Sequence, residues 1–163
     1  IPHHHRPGLK MNNIRESIKF VGYEGSSRYM ADLEPEIKQE CMYRGWTYVP
    51  DPKSISDLDV VIAMRSRKWD GYATRHWKSN VKLANAHGSG TPFVGAKEDG
   101  YLETASGCEY WADDMDQLRY SFDMLESQSS RQLISDRFLC CAITLDMVVP
   151  KYMELVRALR NHI

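Results

Sequence analysis

The 163-residue sequence has no surplus of charge, no long apolar run, no Cys-x-x-Cys pair and no glycine-rich dinucleotide fingerprint, and each gap removes a class of function. With 21 Lys and Arg against 22 Asp and Glu, the formal net charge is −1. No global field therefore gathers nucleic acid or an anionic membrane, and any anion site must be local. No apolar stretch approaches the roughly 20 residues that span a bilayer, and residues 1–10 lack the apolar core of a signal peptide. No membrane span is expected, and a cytoplasmic location is. The four cysteines, Cys41, Cys108, Cys140 and Cys141, have no metal-ligand spacing, and the adjacent pair sits where helix geometry disfavours a mutual disulfide. They read as reduced thiols. The lack of a GxGxxG run, a P-loop and a GxSxG elbow argues against NAD binding, P-loop phosphoryl transfer and serine hydrolysis.

What remains is 42% hydrophobic residues arranged as short apolar runs alternating with helical stretches, the pattern of a parallel α/β sheet. Strands are expected at residues 18–23, 46–49, 58–64, 91–96 and 109–112, the third apolar enough to be buried on both faces. Helices are expected at 28–44, closed by Gly45; at 79–89, started by Ser79 and closed by Gly90; at 115–126; and from 131 onward, broken by Pro150. Residues 65–77 read as a loop and 99–106 as a short helix or turn. The fold class is α/β, a doubly wound, Rossmann-like parallel sheet of about five strands in a single domain with C-terminal helices. Residues 1–17, with Pro2, Pro7 and Gly8, read as a linker or extended arm, and 18–163 as the domain.

Ligands of such sheets lie beyond the carboxyl ends of the strands, so the loops after strands one, three and four carry the candidate chemistry. Gly25, Ser26 and Ser27 form a small, flexible turn into a helix N-terminus, suited to an anion or simply to a change of direction. Lys78 and Lys82 flank the first turn of the next helix, where cations oppose the helix dipole unless an anion lies between them. Asn85 falls on the face of Lys82 and near that of Lys78, so the three can address one ligand. A solvated lysine pair is the plain alternative. His3, His4 and His5 lack a second ligand cluster, so no metal site is expected. The aromatic and basic segment containing Arg65, Trp69, Arg75 and Trp77 suits a loop over a nucleotide better than a nucleic-acid platform.

The run Asn85-Ala86-His87-Gly88-Ser89-Gly90-Thr91-Pro92, followed by Phe93-Val94, resembles the donor-binding region of glycosyltransferases of the GT-B fold, whose C-terminal domain has a small-residue helix of the form Glu-Ala-x-Ala-x-Gly-x-Pro before a strand. Val21-Gly22-Tyr23 through Gly25 resembles the opening strand and glycine loop of that domain, Ser56 through Ile62 its buried strand, and Arg131 through Leu159 its closing helices. The resemblance implies a nucleotide diphosphate sugar as donor substrate, with no separate cofactor. It implies that Lys78, Ser79, Asn80 and Lys82 contact the diphosphate and Asn85 the ribose. Gly25, Ser26 and Ser27 would line the cleft, and Met64 and Arg65 would border the base. It also implies an N-terminal acceptor domain outside this chain. Retaining members commonly carry two Glu residues eight apart across this helix; Trp77 and Asn85 stand there instead, which leaves the catalytic residues unknown. A non-catalytic nucleotide-binding or protein-interaction module, and a phosphosugar-binding domain, are the alternative expectations.

Overall fold

A computed structural model describes residues 3–69 and 71–160. Strands β1 (Phe20–Tyr23), β2 (Thr47–Pro50), β3 (Val60–Ala63), β4 (Phe93–Gly95) and β5 (Tyr110–Trp111) form one all-parallel sheet in the order β2-β1-β3-β4-β5. Chain order runs outward from the centre in both directions. Right-handed crossovers therefore place α1 (Leu33–Tyr43) on one face and α3 (Val81–Ser89) on the other, which is double winding about a switch point between β1 and β3. The fold is the expected Rossmann-like α/β sheet. α5 (Met115–Leu125) packs beside α1, and α6 (Gln128–Cys141) beside α3.

All four residues of β3 are buried, as expected of a central strand covered on both sides. Around it Val21, Ile37, Leu83, Val94, Leu118 and Phe138 lose all solvent contact. Gly45 and Gly90 follow α1 and α3 in left-handed backbone, as expected of C-terminal caps. Asp114 caps α5 by accepting from the Gln117 N–H. The four cysteines are free thiols.

Several expected elements differ. Residues 28–44 are not one helix: a 3-10 turn (Ser27–Tyr29) precedes α1, because Ala31 adopts φ 38° and interrupts the helical path. Pro35 then falls in the first turn of α1, where its missing N–H costs no bond. Residues 65–77 are not wholly loop; they hold a 3-10 turn (Arg67–Trp69) and the short helix α2 (Tyr72–Trp77). Ser79 does not cap α3. Asn80 occupies the cap position and Lys78 stands outside the helix in extended backbone. α4 (Asp99–Leu102) is shorter than the 99–106 span. The helical region beyond α5 starts at Gln128, before Arg131, and α7 (Leu145–Arg160) runs through Pro150. A proline in the second turn removes one bond only, and the helix absorbs it.

Residues 3–17 contain neither helix nor strand, and hydrogen bonds along their length tie them to the domain. His5 N–H donates to Ile143 O, and Asn12 pairs with Ser89 O, Leu58 O and Thr91 Oγ1. Arg15 meets the buried Asp59 carboxylate, which also accepts from the N–H groups of Lys19 and Phe20. The Arg15 and Glu16 carbonyls accept from the buried Arg131 guanidinium, which also caps the end of α5 through Leu125 O and Glu126 O.

Candidate functional site

β1 and β3 deliver their carboxyl ends side by side at the switch point, so the segments that follow them, 24–32 and 65–69, open onto one crevice. α3 enters the same crevice because its small residues Ala84, Ala86 and Gly88 let it lie close to the sheet. Four cations gather around two tyrosine rings there. Lys82 Nζ lies 5.1 Å from the centroid of the Tyr23 ring, at the end of β1. Lys78 Nζ and the Arg65 guanidinium stand 5.7 and 5.8 Å from the Tyr29 ring centroid, with Arg28 at 4.9 Å. Tyr29 is thus surrounded by positive charge. The bond from Arg28 Nη2 to its hydroxyl, then Lys78 and Arg65, pull its pKa below the ordinary tyrosine value.

Arg65 and Lys82 are managed differently. The Arg65 guanidinium is held by both oxygens of the buried Glu98 carboxylate, just past β4. Burial works against its charge, but the Glu98 bonds outweigh burial and raise its pKa. Among the described residues Lys82 has no carboxylate at salt-bridge distance. Burial, followed by repulsion from Arg65, lowers its pKa, against weaker support from Glu24 and Glu98. Beside it the Tyr23 hydroxyl is buried without a hydrogen-bond partner among the described residues, and burial raises its pKa. A lysine whose charge burial disfavours, beside a hydroxyl with no partner among the described residues, is an environment that an anion would relieve.

Gly25 stands over Lys82. Its φ of +128° is left-handed backbone that side chains rarely adopt, and a Cβ there would lie 3.8 Å from Nζ, capping the ammonium. A cavity of about 580 Å³ opens at this point, walled by Gly25, Lys82, Asn85, Glu24, Asp51 and the arm residue Arg6.

The structure brings Gly25, Lys82 and Asn85 together around this cavity and joins Arg65 and Lys78 to them through Tyr23 and Tyr29. Ser26 and Ser27 are exposed and are not among the residues that wall the cavity. Ser79 and Asn80 do not share the space: with Lys78 they line a different pocket of about 310 Å³, opposite His76 and Asp99. Asn80 turns inward, donating to Thr104 Oγ1 at 2.7 Å, while its carbonyl oxygen is buried without a partner among the described residues. Met64 does not border the crevice; it is 1% exposed and belongs to the core. Sequence reasoning missed Glu24, Tyr29 and Glu98. The first two flank the glycine loop and were within reach of a motif reading, but nothing near Glu98 in the sequence signals its partner 33 residues away.

Asn85 is 2% exposed and fully engaged. Its Oδ1 accepts from Arg6 N–H at 2.9 Å, and its Nδ2 donates to the Glu24 oxygens at 3.0 and 3.1 Å. These partners fix the amide's orientation, since a flipped amide would set donor against donor and acceptor against acceptor. The buried His87–Glu109 pair, 2.8 Å apart, lies elsewhere. Among the described residues no group of three or more His, Cys, Asp or Glu is placed to hold a metal ion. No described helix is long and apolar enough to cross a membrane. In comparisons with known proteins, no family model and no curated protein matches this chain.

Proposed function

We propose that this domain binds a nucleoside diphosphate, as the nucleotide sugar donor of a glycosyl transfer, in the crevice between β1 and β3. The observation that carries the reading is the unpaired Lys82 under Gly25, with Lys78 and Arg65 close by across two tyrosine rings. A diphosphate suits this arrangement because two or three fixed cations and the N–H groups opening α3 match its charge. A neutral ligand would leave their mutual repulsion uncompensated. In the transfer step the same groups neutralise the charge that develops on the leaving diphosphate as the bond to the sugar breaks. The donor-region resemblance points to a sugar as the group transferred.

Titration calorimetry with UDP, GDP, ADP, CDP and inorganic pyrophosphate tests this. At least one nucleotide is expected to bind, with Lys82→Ala weakening it about tenfold or more. Silence from the whole panel refutes the reading.

A second reading, binding without transfer, is favoured by Trp77. It stands at a position where retaining relatives of the resembled family carry Glu, and its ring is exposed. Sugar release from a bound donor, measured on the longest natural chain carrying these residues, would eliminate it.

A further inference from the structure

We infer that Glu24 is a hydroxyl-binding residue of the same ligand, so that the cavity of about 580 Å³ takes a polyhydroxylated group attached to the phosphate held by Lys82. The inference rests on the proposed anion site and adds the ligand's neighbouring group. Glu24 follows β1 directly and is set on the cavity wall with its side chain 14% exposed. An ionised carboxylate accepts at about four positions. Three are taken: Oε1 by Asn85 Nδ2 and by Arg6 Nη2 at 2.9 Å, and Oε2 by Asn85 Nδ2. One acceptor position on Oε2 remains, on a carboxylate held in place by a buried amide.

The arm contact is the weak one. The Arg6 side chain is 57% exposed and its ion pair with Glu24 is of the surface kind, worth little, so a ligand donor can replace it. Asp51, also on the cavity wall, offers a second carboxylate, partly committed to Gly25 N–H at 3.2 Å. Carboxylates repel a phosphate and accept from hydroxyls. The cavity therefore presents two kinds of group: Lys82 and the opening N–H groups of α3 for an anion, and fixed acceptors for hydroxyl donors. A ribose or a transferred sugar presents that chemistry next to a phosphate; a bare phosphate or an apolar tail does not.

Calorimetry on wild type and Glu24→Gln with pyrophosphate, the nucleoside diphosphate that binds best, its 2′,3′-dideoxy form and its nucleotide sugar tests the inference. Pyrophosphate affinity should not fall in the variant, and it rises where the lost carboxylate charge had repelled the anion. Affinity for the hydroxyl-bearing ligands should fall about tenfold or more, as expected for loss of a charged hydrogen bond. A loss already present with the nucleoside diphosphate, and absent with its dideoxy form, assigns ribose; a loss appearing only with the nucleotide sugar assigns the sugar. Equal losses for pyrophosphate and the hydroxyl-bearing ligands, or no loss for any, overturn the inference. Should Glu24→Gln fail to fold, the ligand series on wild type decides: equal affinity for pyrophosphate, the nucleoside diphosphate, its dideoxy form and the nucleotide sugar overturns it. Wild type that binds none of these ligands refutes the anion site itself, which is a separate result.

Discussion

Replacing Lys82 by Met should move stability and binding in opposite directions. Met keeps the length and apolar stem that pack against the Tyr23 ring but removes the charge. In the free protein that charge is unfavourable: burial and the neighbouring Arg65 and Lys78 lower its pKa below the ordinary 10.5. A lysine depressed in the folded state binds its proton more weakly than in the unfolded chain, so its full cost is present wherever the pH lies below the folded-state value. The cost fades as pH rises through the folded-state value toward 10.5. Lys82→Met should therefore be more stable than wild type in urea unfolding at pH 7, on the order of 1 kcal/mol, and the gap should narrow as pH approaches 10.5. The same substitution should weaken nucleoside diphosphate binding about 10- to 100-fold, the loss of one charge-assisted contact to phosphate. A less stable variant at pH 7, or a gap that widens with alkali, would refute the description of Lys82 as a charge kept at a cost for a ligand.

Glu109 should act on stability in the acid range. Burial alone would raise its pKa, but bonds from His87, Ser106 N–H and Oγ and Gly107 N–H hold it at about 2, against an ordinary 4.5. A depressed carboxylate contributes stability above 4.5 and loses it as pH falls toward 2, a contribution of roughly 3 kcal/mol. Glu109→Gln should be less stable than wild type in urea unfolding at pH 7, and the two should converge near pH 2; a constant difference from pH 7 to 3 contradicts the assignment. Gly88 receives the His5 ring so closely that a Cβ would lie 2.4 Å from Cγ. Gly88→Ala should release the arm near His5, read as faster hydrogen exchange at the Arg6 amide with α3 still protected; unchanged exchange shows that the ring relocates without cost.

The sheet was legible because strand burial and helix caps are local. The buried run of β3, Gly45 and Gly90 each declare themselves within a few residues, and all hold in the structure. Helix starts were less legible. Ser79 is a better cap by residue type than Asn80, yet the backbone turns one residue later. A Cβ on Gly100 would lie 2.4 Å from Lys78 O, so α4 presses on the stretch before α3. The split of residues 28–44 depends on the left-handed Ala31, a conformation no propensity assigns to alanine.

Site residues divide along the same line. Lys82 and Gly25 could be picked out singly from a helix start and a glycine turn, but their meeting depends on β1 and α3 converging at the switch point. Near-neutral composition hid the important distinction, which lies between cations with partners and cations without them. Arg65 has a buried carboxylate, and Lys82, close enough to feel its charge, has none within salt-bridge distance among the described residues. Pairing one cation and leaving the next exposed to repulsion is unfavourable for folding alone, and an unpartnered Tyr23 hydroxyl beside it compounds the cost. Such local costs concentrate where a ligand is to be received.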